Sequence, residues 1–309
     1  MHLRSIFISE KVIFGKEENI SNVEIKEKDV IQLLSGKTFT DENFPVASFV
    51  IKKSVQKYIR TFYFFARTAD DIADHNTIHS KEKIKILTYF DNILKLEKKT
   101  NITVLNNIIN FFPEIPFSKK YSRNLLKAFL MDAKGKKYNT WDDLIYYCKY
   151  SANPVGRFVI DLIYKKKNLL QTNFEEIYLA SDSLCTSLQI INHLQDCRKD
   201  FQELRRIYIP KSFFKKYSVD KEILKLKDSN ANFLDLVSEM IEKVEIMLTK
   251  SDKGLKMIKP WSLRKETLII LNIAKRLSYL LKTKDVLRKN VKLSRIDLIF
   301  CFIKGIIKS

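Results

Sequence analysis

The sequence predicts an all-α protein built as one domain, and three features carry the prediction. Gly and Pro number only six each in 309 residues, whereas β-sandwiches and barrels need many tight turns. Apolar residues make up 45% of the chain, which supplies a full-sized core and excludes a disordered chain or a small disulfide scaffold. Those residues recur at helical spacing in successive stretches, and proline-containing breaks separate several of them.

Residues 1–40 are mixed and weakly periodic, so no element is assigned there, and the helical domain is expected over 41–309. The helical pattern begins at about 46 and runs to 72. It resumes over about 81–97 and 101–111, then stops at Pro113 and Pro116. Helices follow over about 118–133 and 141–151, with Pro154 marking the junction to 155–165. A long stretch over 173–199 ends before Pro210, and helices over 233–250, 263–284 and 295–307 complete the chain, with Pro260 between the first two. The stretch 233–250 shows the logic. Phe233, Val237, Met240, Ile241, Val244, Met247 and Leu248 fall on one face, Asp235 and Glu239 on the other, and Asn232 is placed as an N-cap. No internal repeat or low-complexity linker interrupts the series.

The net charge is +20, from 56 Lys and Arg against 36 Asp and Glu. A nucleic acid, an anionic membrane or a phosphorylated substrate would each suit such a charge, and so would simple compositional drift. The basic residues are scattered and only 12 are Arg, so drift is preferred and no nucleic-acid partner is expected. Cys148, Cys185, Cys197 and Cys301 show no metal-ligand spacing, and neither do His2, His75, His79 and His193. His193 is read as structural. No secretory signal opens the chain and no apolar run reaches the ~18 residues of a bilayer span. The expected location is the cytoplasm, with peripheral attachment to the inner membrane face left open. The apolar tail 296–307 is read either as a surface-seeking segment or as a last packed helix.

Two acidic clusters carry the chemistry. In Tyr63-Phe64-Phe65-Ala66-Arg67-Thr68-Ala69-Asp70-Asp71-Ile72-Ala73-Asp74, helical geometry puts Arg67, Asp70, Asp71 and Asp74 on one face, with Tyr63 one turn before Arg67. Asp70 and Asp74 lie about 6 Å apart along the axis. Three carboxylates on one stripe repel unless a cation sits among them. In the second cluster, Gln189, Asn192, Asp196 and Asp200 share a face. Carboxylates and amide oxygens without thiolates suit a hard cation such as Mg²⁺, which commonly keeps positions for phosphate oxygens and water. Two such helices about 125 residues apart, with Arg67 in the first and Arg206 after the second, point to a Mg²⁺–diphosphate site. The alternative for either cluster alone is solvated helix surface.

A third segment, Tyr147-Cys148-Lys149-Tyr150-Ser151-Ala152-Asn153-Pro154-Val155-Gly156-Arg157, combines Pro with small residues and so predicts a kink or a close helix contact. Tyr147 faces either a cavity or the core with its hydroxyl satisfied, and Cys148 is read as a small buried residue.

These three segments resemble the squalene/phytoene synthase family of head-to-head prenyl synthases over roughly 40–300. The stretch 67–74 is similar to the family's first aspartate motif. Gln189 to Asp200 with Arg206-Ile207-Tyr208-Ile209-Pro210 is similar to the second, and 147–156 to its central tyrosine helix. The resemblance implies the single-domain isoprenoid synthase helical bundle with a central active-site cavity. It also implies Mg²⁺, with Mn²⁺ as a substitute, bridging Asp70, Asp74, Asp196 and Asp200, with Asp71 in support, to a substrate diphosphate. Arg67, Arg206, Asn192 and Gln189 would contact the diphosphate, and Tyr63, Tyr147 and Arg67 would act on the reacting carbons and leaving group.

Within the family the chain is most similar to the hydroxysqualene synthase branch of bacterial squalene and hopanoid pathways, through Glu42-Asn43-Phe44-Pro45-Val46-Ala47-Ser48, 151–157 and Gln195-Asp196. Condensing members usually carry basic residues where this chain has Asn43 and Gln195. The expected reaction is therefore conversion of presqualene diphosphate to hydroxysqualene with release of diphosphate. The alternatives are condensation of farnesyl or geranylgeranyl diphosphate by a squalene or phytoene synthase, and a non-catalytic assembly or binding role on the same fold. No glycine-rich dinucleotide fingerprint is present, so no nicotinamide cofactor is expected. A companion presqualene diphosphate synthase and a squalene-forming oxidoreductase are the implied partner enzymes.

Overall fold

The computed structural model describes residues 25–36, 53–169 and 174–307. All the regular structure among them is helical. A short helix, α1 (Glu27–Ile31), precedes α2 (Lys53–Asp74), α3 (Ser80–Leu96), α4 (Thr103–Ile109), α5 (Phe117–Ala133), α6 (Trp141–Ser151) and α7 (Asn153–Lys166). Then follow α8 (Phe174–Gln195), α9 (Cys197–Lys199), a π-helical turn (Asp200–Leu204), α10 (Lys211–Lys216) and a 3₁₀ turn (Lys221–Lys225). The long helices α11 (Ala231–Lys256), α12 (Trp261–Thr283) and α13 (Arg295–Ile307) close the chain. The element Glu42–Ser48 lies outside the described residues, as does the start of the first predicted helix.

One continuous core joins these helices, with Phe65, Phe90, Phe158 and Phe233 buried at its centre. Helix α8 packs along α11, α11 along α12, and α5 against both α2 and α3. The α8–α11 seam is close because Gly254 faces Ala180 and the Glu176 carbonyl. Bidentate pairs lock two further contacts: Arg123 on Asp91 at 2.7 and 2.9 Å joins α5 to α3, and Arg157 on Asp182 at 2.9 and 2.6 Å joins α7 to α8.

Predicted element boundaries hold to within a few residues for most helices, with three differences. The N-cap of α11 is Asn230, whose side chain accepts the Phe233 N–H at 2.9 Å, so the helix starts before Asn232. The two helices expected over 141–165 are present, but the break is at Ala152, and Pro154 sits not between the two but in the first turn of the second helix, where its missing N–H does no harm. Gly156 brings that second helix close against Ser181 and Cys185 of α8, so the small-residue segment provides both the break and the close approach.

The third difference matters most for function. The predicted helix 173–199 is interrupted at Asp196, which leaves helical geometry (φ −103°, ψ 6°). Gln195 and Arg198 fix the bend by donating to the carbonyls of Val291 and Leu287, the latter at 3.1 Å. The spacing of the acidic face survives, because Asp196 N–H bonds to the Asn192 carbonyl at 2.9 Å and Asp200 N–H to the Asp196 carbonyl at 2.8 Å.

Candidate active site

The site forms where three helices end. Asp74 is the last residue of α2, Asp132 the penultimate residue of α5, and Asp196 directly follows α8. The dipole of a helix places about half a negative charge at its C-terminus. Carboxylates are therefore gathered at three negative helix ends, an arrangement that is unfavourable without cations.

Arg206 is the chief internal cation. The π-turn Asp200–Leu204 and the left-handed Arg205 (φ 54°) reverse the chain, and Arg206 N–H bonds to the Asp200 carbonyl at 3.0 Å. Its guanidinium pairs with Asp74 and donates to the Ala73 carbonyl at 2.7 Å. The last turn of the first motif is thus tied to the end of the second. Lys83 of α3 donates to the same Ala73 carbonyl at 2.9 Å, so two cations cap the C-terminus of α2. Arg67 bridges Asp70 at 3.3 Å and Asp71 at 2.9 Å and donates to the Ser35 hydroxyl at 3.3 Å. Asp71 is buried and also accepts the Ser35 N–H at 3.0 Å, which gives it a supporting role behind the other carboxylates.

Charge crowding shows in the acidities. Burial and then Asp74 raise the Asp70 carboxyl well above its ordinary range, against the pull of Arg67. Asp200 is pushed up to about 8 by burial, then by Asp196 and Asp74. Burial pushes Asp132 up to about 6 against Arg206 and hydrogen bonds from Tyr147 and Tyr208. Carboxylates of both motifs therefore share one electrostatic site. Burial and Arg206 hold His193 down to about 3, so it is neutral, and its ring stacks on Tyr208 with centroids 3.6 Å apart.

The structure brings together Asp70, Asp74, Asp196, Asp200, Arg67 and Arg206. Asn192 lies half-buried one turn before Asp196. Tyr63 is half-buried one turn before Arg67, with Phe64 edge-on at 5.8 Å. Gln189 is turned within the helix, its amide nitrogen 3.2 Å from His193 Nε2. Tyr147 takes the core alternative. It is buried, donates its hydroxyl to Asp132 at 2.7 Å, and meets Tyr138 and Tyr208 with centroids 5.4 Å away in each case. Gln195 is a correction: it is buried against the Val291 carbonyl and not on the carboxylate face, so it replaces no cation there through its own side chain.

Sequence reasoning missed Asp132, Tyr208, Lys83 and Ser35. Tyr208 donates to Asp132 at 2.9 Å, which places both predicted and unpredicted tyrosines on one buried carboxylate. A cavity of about 320 Å³ adjoins this pair, lined by Asp132, Tyr138, Arg206 and Tyr208 and by Lys136 and Lys211 among others. Tyr208 stood within the quoted second motif and Asp132 within a predicted helix, but neither had a spacing that marked it.

Among the described residues no three His, Cys, Asp or Glu side chains converge as a preformed metal cage. The donor set nevertheless fits a hard divalent cation. It is all oxygen, and burial and then like-charge crowding raise Asp70 and Asp200, a cost that a positive charge placed between the motifs would offset.

Comparison with known proteins bears on the family and the fold. Residues 39–297 match the family model described as squalene/phytoene synthase. The chain is 36% identical over 261 residues to a hydroxysqualene synthase of Sinorhizobium fredii, covering 84% of this chain and 86% of that protein. It is 35% identical over 268 residues to one of Rhodopseudomonas palustris, covering 87% and 89%. In fold it is similar to a dehydrosqualene synthase crystallised with a ligand, with a TM-score of 0.73 at 22% identity over 90% of this chain and 95% of that one. A squalene synthase from Alicyclobacillus acidocaldarius matches with a TM-score of 0.63 at 20% identity over 84% and 90%. With two aspartate motifs joined through Arg206 and a family model spanning most of its length, the chain belongs to the squalene/phytoene synthase family of enzymes.

Proposed function

We propose that this enzyme converts presqualene diphosphate to hydroxysqualene and releases diphosphate, with Mg²⁺ as its cofactor and Mn²⁺ as a substitute. The observation that carries the reading is the meeting of carboxylates from two distant motifs around Arg206. The 35–36% identity to two hydroxysqualene synthases supports this reaction over the others of the family. Asp70, Asp74, Asp196 and Asp200 would hold the metal, which when bound supplies positive charge to the leaving diphosphate.

The remaining chemistry is assigned to the protein. Arg206, Arg67 and Lys83 keep cations beside the leaving group, where negative charge grows as the C–O bond breaks. The diphosphate departs with the bonding electrons and leaves a cyclopropylcarbinyl cation. The Tyr147 hydroxyl is committed to Asp132 and its ring is buried among Tyr138, His193 and Tyr208, so Tyr147 positions Asp132, and Tyr63 is the candidate ring for the cation. After rearrangement, water adds to the carbocation and its proton is lost to the released diphosphate or solvent. The balance is one substrate and one water giving one alcohol and one diphosphate.

The test is product analysis of purified protein with Mg²⁺ and no nicotinamide cofactor, offering presqualene diphosphate and farnesyl diphosphate separately. Hydroxysqualene from the first and no turnover of the second is the expected result. Formation of presqualene diphosphate or a longer hydrocarbon from allylic diphosphates would assign the protein to the condensing branch. No turnover of either by folded protein would favour the non-catalytic role.

A further inference from the structure

The last helix is seated in a way that leaves an apolar face outward. The inner side of α13 is held by three contacts with α12. Cys301 is buried, and Gly305 sits so close that a Cβ would lie 2.5 Å from Ile269 Cγ1 and 2.8 Å from its backbone nitrogen. Arg276 donates to Asp297 at 2.6 Å. These contacts set the roll of the helix. Ile296, Ile299, Phe300, Ile303 and Ile307 then share the opposite arc, and they are 50–77% exposed. Tyr279 of α12, 54% exposed, lines the groove beside Ile296 and Phe300. So continuous an apolar stripe is unusual on a surface that meets only water.

The charge around the stripe is one-sided. Residues 284–307 contain Lys284, Arg288, Lys289, Lys292, Arg295 and Lys304 against Asp285 and Asp297. Both acids are already engaged, Asp285 by the Ser229 N–H at 2.8 Å and Asp297 by Arg276 and the Ser294 N–H at 2.9 Å. Lys289, Lys292, Arg295 and Lys304 are exposed. An apolar stripe bordered by cations matches an anionic bilayer surface, where apolar side chains enter the acyl boundary and Lys or Arg meet phosphate headgroups. Pairing this face with itself in a second copy would set like charges against each other. No described helix is long and apolar enough to cross a membrane, so the contact is one of lying on the surface.

We propose that the outward face of α13 docks the protein on an anionic lipid surface. The inference does not rest on the reaction assigned above, and it is tested without substrate. Full-length protein is sedimented with phosphatidylcholine vesicles and with vesicles that also contain phosphatidylglycerol. Binding to the anionic vesicles that weakens with added salt is expected. Phe300→Ser with Ile303→Ser should lower the partition coefficient at least about tenfold. Lys289→Gln with Lys292→Gln should lower it roughly 25-fold on anionic vesicles alone, at roughly a five-fold loss per charge. Both double variants alter exposed side chains, and an unchanged melting temperature confirms that they fold. Wild-type protein that stays in the supernatant overturns the proposal. So does equal binding by the Phe300/Ile303 variant. A wild-type dimer that this variant converts to monomer, with neither binding vesicles, would assign the face to a second copy instead.

Discussion

Tyr147, Tyr208 and Arg206 meet at Asp132, and that buried carboxylate shows how individual residues are set against one another. It accepts from two tyrosines and borders Arg206 in the cavity wall. Tyr147→Phe removes one hydrogen bond to a buried charge, and the expected loss is about 1–2 kcal/mol in urea denaturation. Arg206→Met has a larger effect, because it leaves Asp74 without its partner at the end of α2. The pair is partly exposed on the Asp74 side, so a loss on the order of 2 kcal/mol is expected, below that of a fully buried pair. Asp196→Asn should behave differently again. It relieves repulsion and keeps the shape, so the melting temperature should hold or rise, while diphosphate release falls on the order of a hundredfold or more. Loss of fold together with activity in Asp196→Asn would count against its role as a metal ligand.

At the level of whole elements, the helix ends do the positioning. α2, α5 and α8 stop at a common place, and the bend at Asp196 with the reversal at Arg205 turns one sequence motif back toward the other. The seams that hold these helices at fixed depth depend on glycine. At Gly254 an added Cβ would lie 2.6 Å from Ala180 Cβ and 2.9 Å from the Glu176 carbonyl oxygen, neither of which can swing aside. Alanine is favoured over glycine by about 1 kcal/mol in a free helix, but overpacking against rigid neighbours costs roughly 1–3 kcal/mol, and contacts this short put Gly254 toward the upper end. Gly254→Ala should therefore lower the melting temperature, and calorimetry would show it. Because α8 carries the second motif, the same variant should also reduce activity below the melting transition.

Across the whole molecule, a high net positive charge coexists with acidic residues drawn into specific networks. Asp252 joins α11 to α12 by accepting from Lys275 at 2.7 Å, and it pairs with Lys256 of its own helix at 2.7 Å. Partial burial would raise its pKa, but the two lysines hold it down to about 2. A carboxyl depressed in the folded state contributes stability above its unfolded value near 3.8 and loses it as pH falls toward 2. The melting temperature of wild-type protein should therefore exceed that of Asp252→Asn at neutral pH, and the gap should close between about pH 4 and 2. A gap independent of pH would show that the aspartate acts through shape alone.

The amino-acid sequence by itself determined the all-α class, the long helices, the two aspartate faces and the family. Each rests on local periodicity or on motif spacing, and a helix converts spacing directly into a shared face. Short elements such as α1 and α10 escaped it, because five or six residues are too few for a periodic pattern to register. Whether Tyr147 faced a cavity or the core was undecided in the sequence. Burial and the bond to Asp132 decide it, through a partner 15 residues away on another helix. Gln195 was misread for a related reason: its orientation is set by a carbonyl 96 residues further along the chain. Only the tertiary structure decided that Asp132, Lys83 and Ser35 join the site, and that the tail packs through Gly305 while its apolar stripe faces out. Such placements depend on which helix ends and faces meet, and contacts between residues far apart in the chain leave no periodic trace along it.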